Sequence, residues 1–191
     1  MPTQSMSPEQ IRRHYGTITG LRDAVAEQPI APSMPAGSVT DDTEQALILA
    51  GLLTDGGGRI DPHQLADALL RWEDDMRARG SLDLLGPSTK LALEGVRAGA
   101  DPHCTGREGT TNGAAMRVAP VGIAFSVNAH GDALARAVQA SCLVTHDTRQ
   151  GFEAAGLLAA AVSAAIDGVD ASGALKAALN FVAAHPEEGH W

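Results

Sequence analysis

From residue 42 onward, apolar residues recur at three- and four-residue steps with polar residues between them, the period of an amphipathic helix. Ala46, Leu49, Ala50 and Leu53 make one stripe, and Gly56-Gly57-Gly58 is placed to end that helix. Asp61-Pro62, with Gln64 three residues after the aspartate, opens a second helix whose stripe is Leu65, Leu69, Trp72 and Met76. Gly86-Pro87-Ser88-Thr89 starts a third, carrying Leu91, Ala92 and Val96. Further helices are predicted at roughly 113–126, 131–145, 150–167 and 172–184, each bounded by Gly, Asp or Pro. The one from Phe152 is dense in Ala and Gly, as a buried central helix would be. His185 to Trp191 reads as a helix stop.

The N-terminal part follows another pattern. Ser7-Pro8-Glu9-Gln10 combines an N-cap, a proline at the first helical position and an acidic first turn, and predicts a short helix to about Tyr15. From Gly16 to Ser38 no helical period is sustained, and Pro29, Pro32 and Pro35 interrupt the segment. Thr17-Ile18-Thr19 is its best strand candidate. An irregular stretch of this length reads equally as a ligand loop and as a surface connection. The pattern as a whole gives an all-α fold class and a single domain over residues 1–191.

Composition narrows the picture. Aromatic residues are only 3% of the chain against 44% apolar, so the core is built from Ala, Leu and Val, whose size lets helices approach closely. The formal charge of −9 repels phosphate backbones, and Arg12-Arg13 is the only basic pair, so nucleic-acid binding is not expected. Cys104 and Cys142 match no metal or redox spacing and read as reduced thiols. The polar N-terminus carries no signal-peptide pattern. The longest apolar run, Ala154 to Ile166, is broken by Ser163 and falls short of the ~20 residues of a membrane span. A cytoplasmic protein without a membrane partner is the expectation.

Three clusters could carry chemistry. Thr40-Asp41-Asp42-Thr43 sits where a loop enters a helix, so that its oxygens can converge. A hydroxyl with two carboxylates is a hard donor set suited to Mg2+, Mn2+ or Ca2+ rather than zinc. The same residues could equally cap the helix and face its dipole. Gly106 to Arg117, reading GREGTTNGAAMR, offers backbone N–H groups for an anion, and Arg117 adds a guanidinium able to grip a phosphate. The alternative is an ordinary loop with Asn112 as N-cap. Val144-Thr145-His146-Asp147-Thr148 lies between two helices, where it could touch a ligand or simply pair a capping Asp147 with an exposed His146. The other histidines, at 14, 63, 103, 130, 185 and 190, have no paired spacing typical of zinc, and no G-x-S-x-G or G-x-G-x-x-G occurs.

These clusters occur in the order found in ADP-ribosylglycohydrolases. Ser38-Val39-Thr40-Asp41-Asp42-Thr43-Glu44 resembles the family's first metal motif, and Gly86-Pro87-Ser88-Thr89 its Gly-x-Ser-Thr segment. Thr111-Asn112-Gly113-Ala114-Ala115-Met116-Arg117 is similar to its Asn-Gly-x-Ala-Met-Arg loop, and Val144-Thr145-His146 to its Thr-His element. The resemblance implies a compact orthogonal multi-helix bundle with a binuclear Mg2+ or Mn2+ centre that hydrolyses N- or O-glycosidic ADP-ribose linkages on proteins or small molecules. It implies Thr40, Asp41 and Asp42 as metal ligands and Asp41 and Asp42 as the catalytic carboxylates. Asn112, Gly113, Ala114, Met116 and Arg117 would contact the phosphate and ribose, with His146 nearby.

Three departures accompany the resemblance. The chain starts at Met1-Pro2-Thr3, just past where the family's first helix would stop. Gln4 aligns with the family's loop glutamate, and the distant Asp-x-Asp-Thr metal motif has no counterpart before Trp191. An incomplete bundle is therefore expected, with apolar helix faces left for self-association or a complementing chain. The alternative function is a non-catalytic module that binds ADP-ribose, another nucleotide or a protein.

Overall fold

The structure, a computed structural model, describes residues 2–79 and 85–186. Its described residues form nine helices and no strand: α1 (Pro8–Tyr15), α2 (Asp41–Asp55), α3 (Pro62–Ala78), α4 (Pro87–Arg97), α5 (Gly113–Arg117), α6 (Ala119–Ala124), α7 (Gly131–His146), α8 (Arg149–Ile166) and α9 (Ala171–Ala184). The all-α expectation holds. The helix stop at the tail falls largely on 187–191, outside the described residues.

Local signals set the helix starts. Ser7 and Gln10 form a reciprocal capping box on α1, with hydrogen bonds of 3.2 and 2.7 Å. Asp61, Thr148 and Asp170 each accept a backbone N–H at the start of α3, α8 and α9. One expected helix divides. The stretch predicted as 113–126 breaks at Val118 into α5 and α6. Pro120 has no N–H to give, and inside a continuous helix its ring would collide with the carbonyl four residues back. Placed in the first turn of α6 it costs nothing, and the chain changes direction there.

Helix α8 is the centre. Phe152, Ala155, Ala159, Ala160 and Ala164 are fully buried against α5, α6, α7 and α9. Around it, Leu49, Leu65, Leu69, Leu93, Val118, Leu134 and Val138 complete one continuous core. On α4 it is Leu93 that enters the core, while Leu91 stands 53% exposed. Glu73 of α3 is buried and reaches Arg77 at 2.6 Å and Arg97 at 3.0 Å, tying α3 to α4. Glu44 accepts from Trp72 and from both terminal nitrogens of Arg79, tying α2 to α3. This guanidinium, together with the Trp72 N–H, holds the Glu44 carboxyl below its usual range.

The irregular segment 16–40 packs against this frame without the strand suggested at Thr17–Thr19. Side chains take over the backbone pairing a strand would supply. Tyr15 OH donates to Pro2 O and accepts from Val25 N, at 3.0 and 2.9 Å. Buried Gln28 donates to Gln4 O at 2.8 Å, and its carbonyl accepts from Ile30 N at 2.7 Å and from Ala31 N. The N-terminal residues are thereby held beside the start of α2. No helix among the described residues is long and apolar enough to cross a membrane. The outer faces of α2 and α6 border an apolar groove in which Leu47 and Ile123 stay exposed.

Candidate functional site

A cavity of about 400 Å3 opens between the start of α2, the start of α4 and the loop entering α5. That volume suits a small-molecule ligand. Asp41 and Asp42 line one side, and Thr111, Asn112, Gly113 and Met116 line the other. No lysine, arginine or histidine is among its described lining residues.

The acidic side is not consumed in tying off α2. Thr40 is the N-cap, in extended conformation, yet its side chain accepts no helix N–H. Its hydroxyl donates instead to Asp42 Oδ2 at 3.1 Å. Asp41, the first residue of α2, is half-buried, and burial together with the negative charge of Asp42 pushes its carboxyl up to about 6. Two acids crowded into a partly dry site share a proton or require a counter-charge. Asp41 and Asp42 thus present hard oxygens at one mouth, a donor pair that fits a Mg2+ or Mn2+ ion, while Thr40, expected beside them as a ligand, is not among the described lining residues and reaches the site through its bond to Asp42.

The opposite side is also unspent. Asn112 is the N-cap of α5 but makes no side-chain cap, so its exposed amide is left toward the cavity. Beside it, Gly113 has no alternative residue. A Cβ there would stand 2.5 Å from Cε1 of His146 and 3.1 Å from Thr89 Oγ1. Sequence reasoning missed Thr89 as a wall residue. The signal for it was the hydroxyl pair that follows Gly86-Pro87 at the opening of α4.

Ala114, Arg117 and His146 do not line the cavity, and the ligand contacts expected of them need correction. Arg117 is fully buried and donates to Gln45 Oε1 (2.9 Å), Ser141 O (2.9 Å) and Thr145 Oγ1 (2.6 Å). Burial among these neutral acceptors lowers its pKa to about 10, so it remains a cation that holds α2, α5 and α7 together rather than a phosphate grip. His146, read from sequence as an exposed residue, is also fully buried. Its Nδ1 meets Thr145 Oγ1 at 2.8 Å and its Nε2 meets Thr111 Oγ1 at 2.9 Å. Burial and then the Arg117 charge push it down to about 3, so it stays neutral and props the cavity wall from behind. Ala114 packs in the same layer.

Comparison with known proteins identifies the relatives of the chain. A family model described as ADP-ribosylglycohydrolase matches residues 1–190. Uncharacterized protein YegU of Escherichia coli (strain K12) is 31% identical over 188 residues, covering 98% of this chain and 55% of its own. An uncharacterized protein of Archaeoglobus fulgidus is 34% identical over 174 residues, with shares of 90% and 52%. ADP-ribosylarginine hydrolase Tri1 of Pseudomonas putida (strain GB-1) is 31% identical over 162 residues, with shares of 80% and 42%. The chain spans about half the length of the curated relatives it matches.

Proposed function

Since the chain belongs to the ADP-ribosylglycohydrolase family, we propose that its cavity receives the ADP-ribose part of an ADP-ribosylated protein or small molecule. The reaction it serves is hydrolysis of the glycosidic bond, with Mg2+ or Mn2+ as cofactor. The hydrolase relative named for ADP-ribosylarginine makes an arginine linkage the first to test. The observation that carries this reading is a pair of adjacent carboxylates bordering the same cavity as Asn112 and Gly113, with neither Thr40 nor Asn112 spent on capping.

Asp41 and Asp42 are the residues that would hold the cation, with Thr40 bonded to Asp42. The chemistry a bound Mg2+ or Mn2+ supplies is Lewis-acid polarisation of ribose hydroxyls and acidification of water. The chain's own residues do the rest. Asp41, whose carboxyl is raised by burial and by the charge of Asp42, is the donor that gains most from the cation's counter-charge. The Asn112 amide, the backbone of Gly113 and the Thr111 hydroxyl orient the ribose and phosphate through hydrogen bonds. Arg117 and His146 act through the residues they support.

A second reading has its own observation. Gln4 lines the cavity, at the position the resemblance aligns with a glutamate, and an amide is no base at neutral pH. A module that binds ADP-ribose or another nucleotide without cleaving it would look the same. Calorimetric titration with ADP-ribose, with and without Mn2+, separates the two when paired with release of ADP-ribose from ADP-ribosyl-arginine. The hydrolase reading expects Mn2+-dependent binding and slow turnover, both lost in Asp41→Asn and Asp42→Asn. Metal-independent binding without turnover supports the module. No binding in either condition removes both readings.

A further inference from the structure

Away from the cavity, three side chains that sequence spacing left unconnected come together. His63 lies in the first turn of α3, and Asp101 and His103 lie in the connection between α4 and α5. One donor atom from each falls within 4.8 Å of the other two. The rings of His63 and His103 meet edge to face with centroids 5.3 Å apart. Asp101 Oδ1 accepts the His103 backbone N–H at 3.0 Å and lies 2.9 Å from Nδ1 of the same residue, and these contacts, the backbone one foremost, hold the Asp101 carboxyl below its usual range. None of the three lines the cavity.

We propose that His63, Asp101 and His103 form a second metal site, selective for a borderline transition-metal ion of the Zn2+ class and structural in role. Two imidazoles with one carboxylate are the donors such an ion prefers, whereas Mg2+ prefers oxygen alone. Asp101 Oδ1 and Nδ1 of His103 already stand 2.9 Å apart, close to the spacing of two donors on one small ion, and the ion would take the place of the proton between them. All three side chains are exposed, so an ion reaches them from solvent and water fills its remaining positions.

Both frames carrying the donors are fixed. His63 follows the Asp61 cap and Pro62, with Asp61 accepting from Gln64 N at 3.0 Å. The connection is pinned to the end of α7 by the Thr105 hydroxyl, which donates to Val144 O at 2.7 Å, and to the start of α8 by Thr148 Oγ1, which donates to Gly109 O at 2.6 Å. Gly109 itself lies so close that a Cβ would stand 2.0 Å from Thr145 O. A bound ion would staple α3 to the connection that continues into Thr111 and Asn112, and so would stiffen one wall of the cavity from outside it.

The test titrates Zn2+ into the untagged chain in excess Mg2+, with Cys104→Ser removing the exposed thiol. One Zn2+ per chain is expected, with a rise in the unfolding temperature. His63→Ala and His103→Ala should each abolish that equivalent while leaving the metal-free unfolding temperature unchanged. Asp101→Asn, which removes the charged donor, should weaken binding by at least about tenfold. Asp41→Asn with Asp42→Asn should leave the equivalent intact, which keeps the result independent of the proposed function. Co2+ in place of Zn2+ should give visible absorption that disappears in His63→Ala. No Zn2+ uptake, uptake unchanged in His63→Ala and His103→Ala, or uptake lost only with Asp41 and Asp42 overturns the proposal.

Discussion

The two faces of the five-residue helix α5 are a natural contrast. Gly113 and Met116, three residues apart, face the cavity, while Ala114 and Arg117, also three apart, face the core. Side chains three apart share one side of a helix, and a step of one residue turns to another. On the cavity side, the Asn112 side chain that precedes the helix is not spent on a cap. On the core side, polar groups are gripped: Arg117 by Gln45, Ser141 and Thr145, and His146 by Thr145 and Thr111. The lesson is that one compact motif holds two kinds of residue. One kind can meet a ligand, and the other keeps the first in place.

The largest effect should come from breaking the core side. Arg117→Met leaves three buried acceptors without their donor, each worth about 1–3 kcal/mol, partly offset by relief of a buried charge. A net loss of about 3 kcal/mol is expected as a lower urea midpoint. Arg117→Lys should also be destabilising, because an ammonium cannot span the three acceptors that a planar fork reaches. Asn112→Ala, on the cavity side, should change stability by no more than about 0.5 kcal/mol. Equal losses for Arg117→Met and Asn112→Ala would erase the contrast.

Much of this was open to reading in the chain itself, and the reasons are local. Leu49, Leu53, Leu65, Leu69, Trp72 and Met76 repeat with the helical period and are buried on schedule. Asp61-Pro62 and Ser7-Pro8 start helices by short-range hydrogen bonds that neighbours cannot veto. The carboxylate pair and the Asn-Gly loop were also visible, through their order along the chain. What escaped depends on parts far apart in sequence. His146 looked exposed because its cover, the connection holding Gly106 and Gly109, lies about forty residues earlier. Arg117 looked like a phosphate grip because its three acceptors come from α2 and α7. His63 and His103 showed no zinc spacing because the fold, not the spacing, brings them together.

An intermediate effect sharpens the contrast through pH. His146 is held neutral, with its pKa near 3 against 6.5 for a free imidazole. Between those values only the unfolded chain takes up the proton. The stability this group contributes is therefore complete above pH 6.5 and is lost as pH falls, by about 1.4 kcal/mol per unit at the limit. Urea midpoints measured from pH 7.5 to 5 should fall in the wild type by about 2 kcal/mol equivalent. His146→Gln should start lower and give a flatter line. A wild-type profile as flat as that of the variant would mean that solvent reaches the ring.

The smaller of the two pH effects has the opposite sign, and that is its value. Asp41 is an acid whose pKa is raised from 3.8 to about 6 in the folded chain. Here the folded state binds the proton more tightly, so the associated stability is complete below about pH 4 and is lost as pH rises through 6. With metal removed by chelator, Asp41→Asn takes away the repelled charge and should stabilise the chain at pH 8. After allowing for the solvent that still reaches this half-buried group, the gain is about 1 kcal/mol. The gain should vanish near pH 4, where wild-type Asp41 is itself protonated, and should shrink in saturating Mn2+, which supplies the missing counter-charge to wild type alone. A substitution that stabilises the fold while abolishing Mn2+-dependent ligand binding marks a residue kept for chemistry. Loss of stability at pH 8 would instead make Asp41 an ordinary helix-start carboxylate, satisfied where it stands.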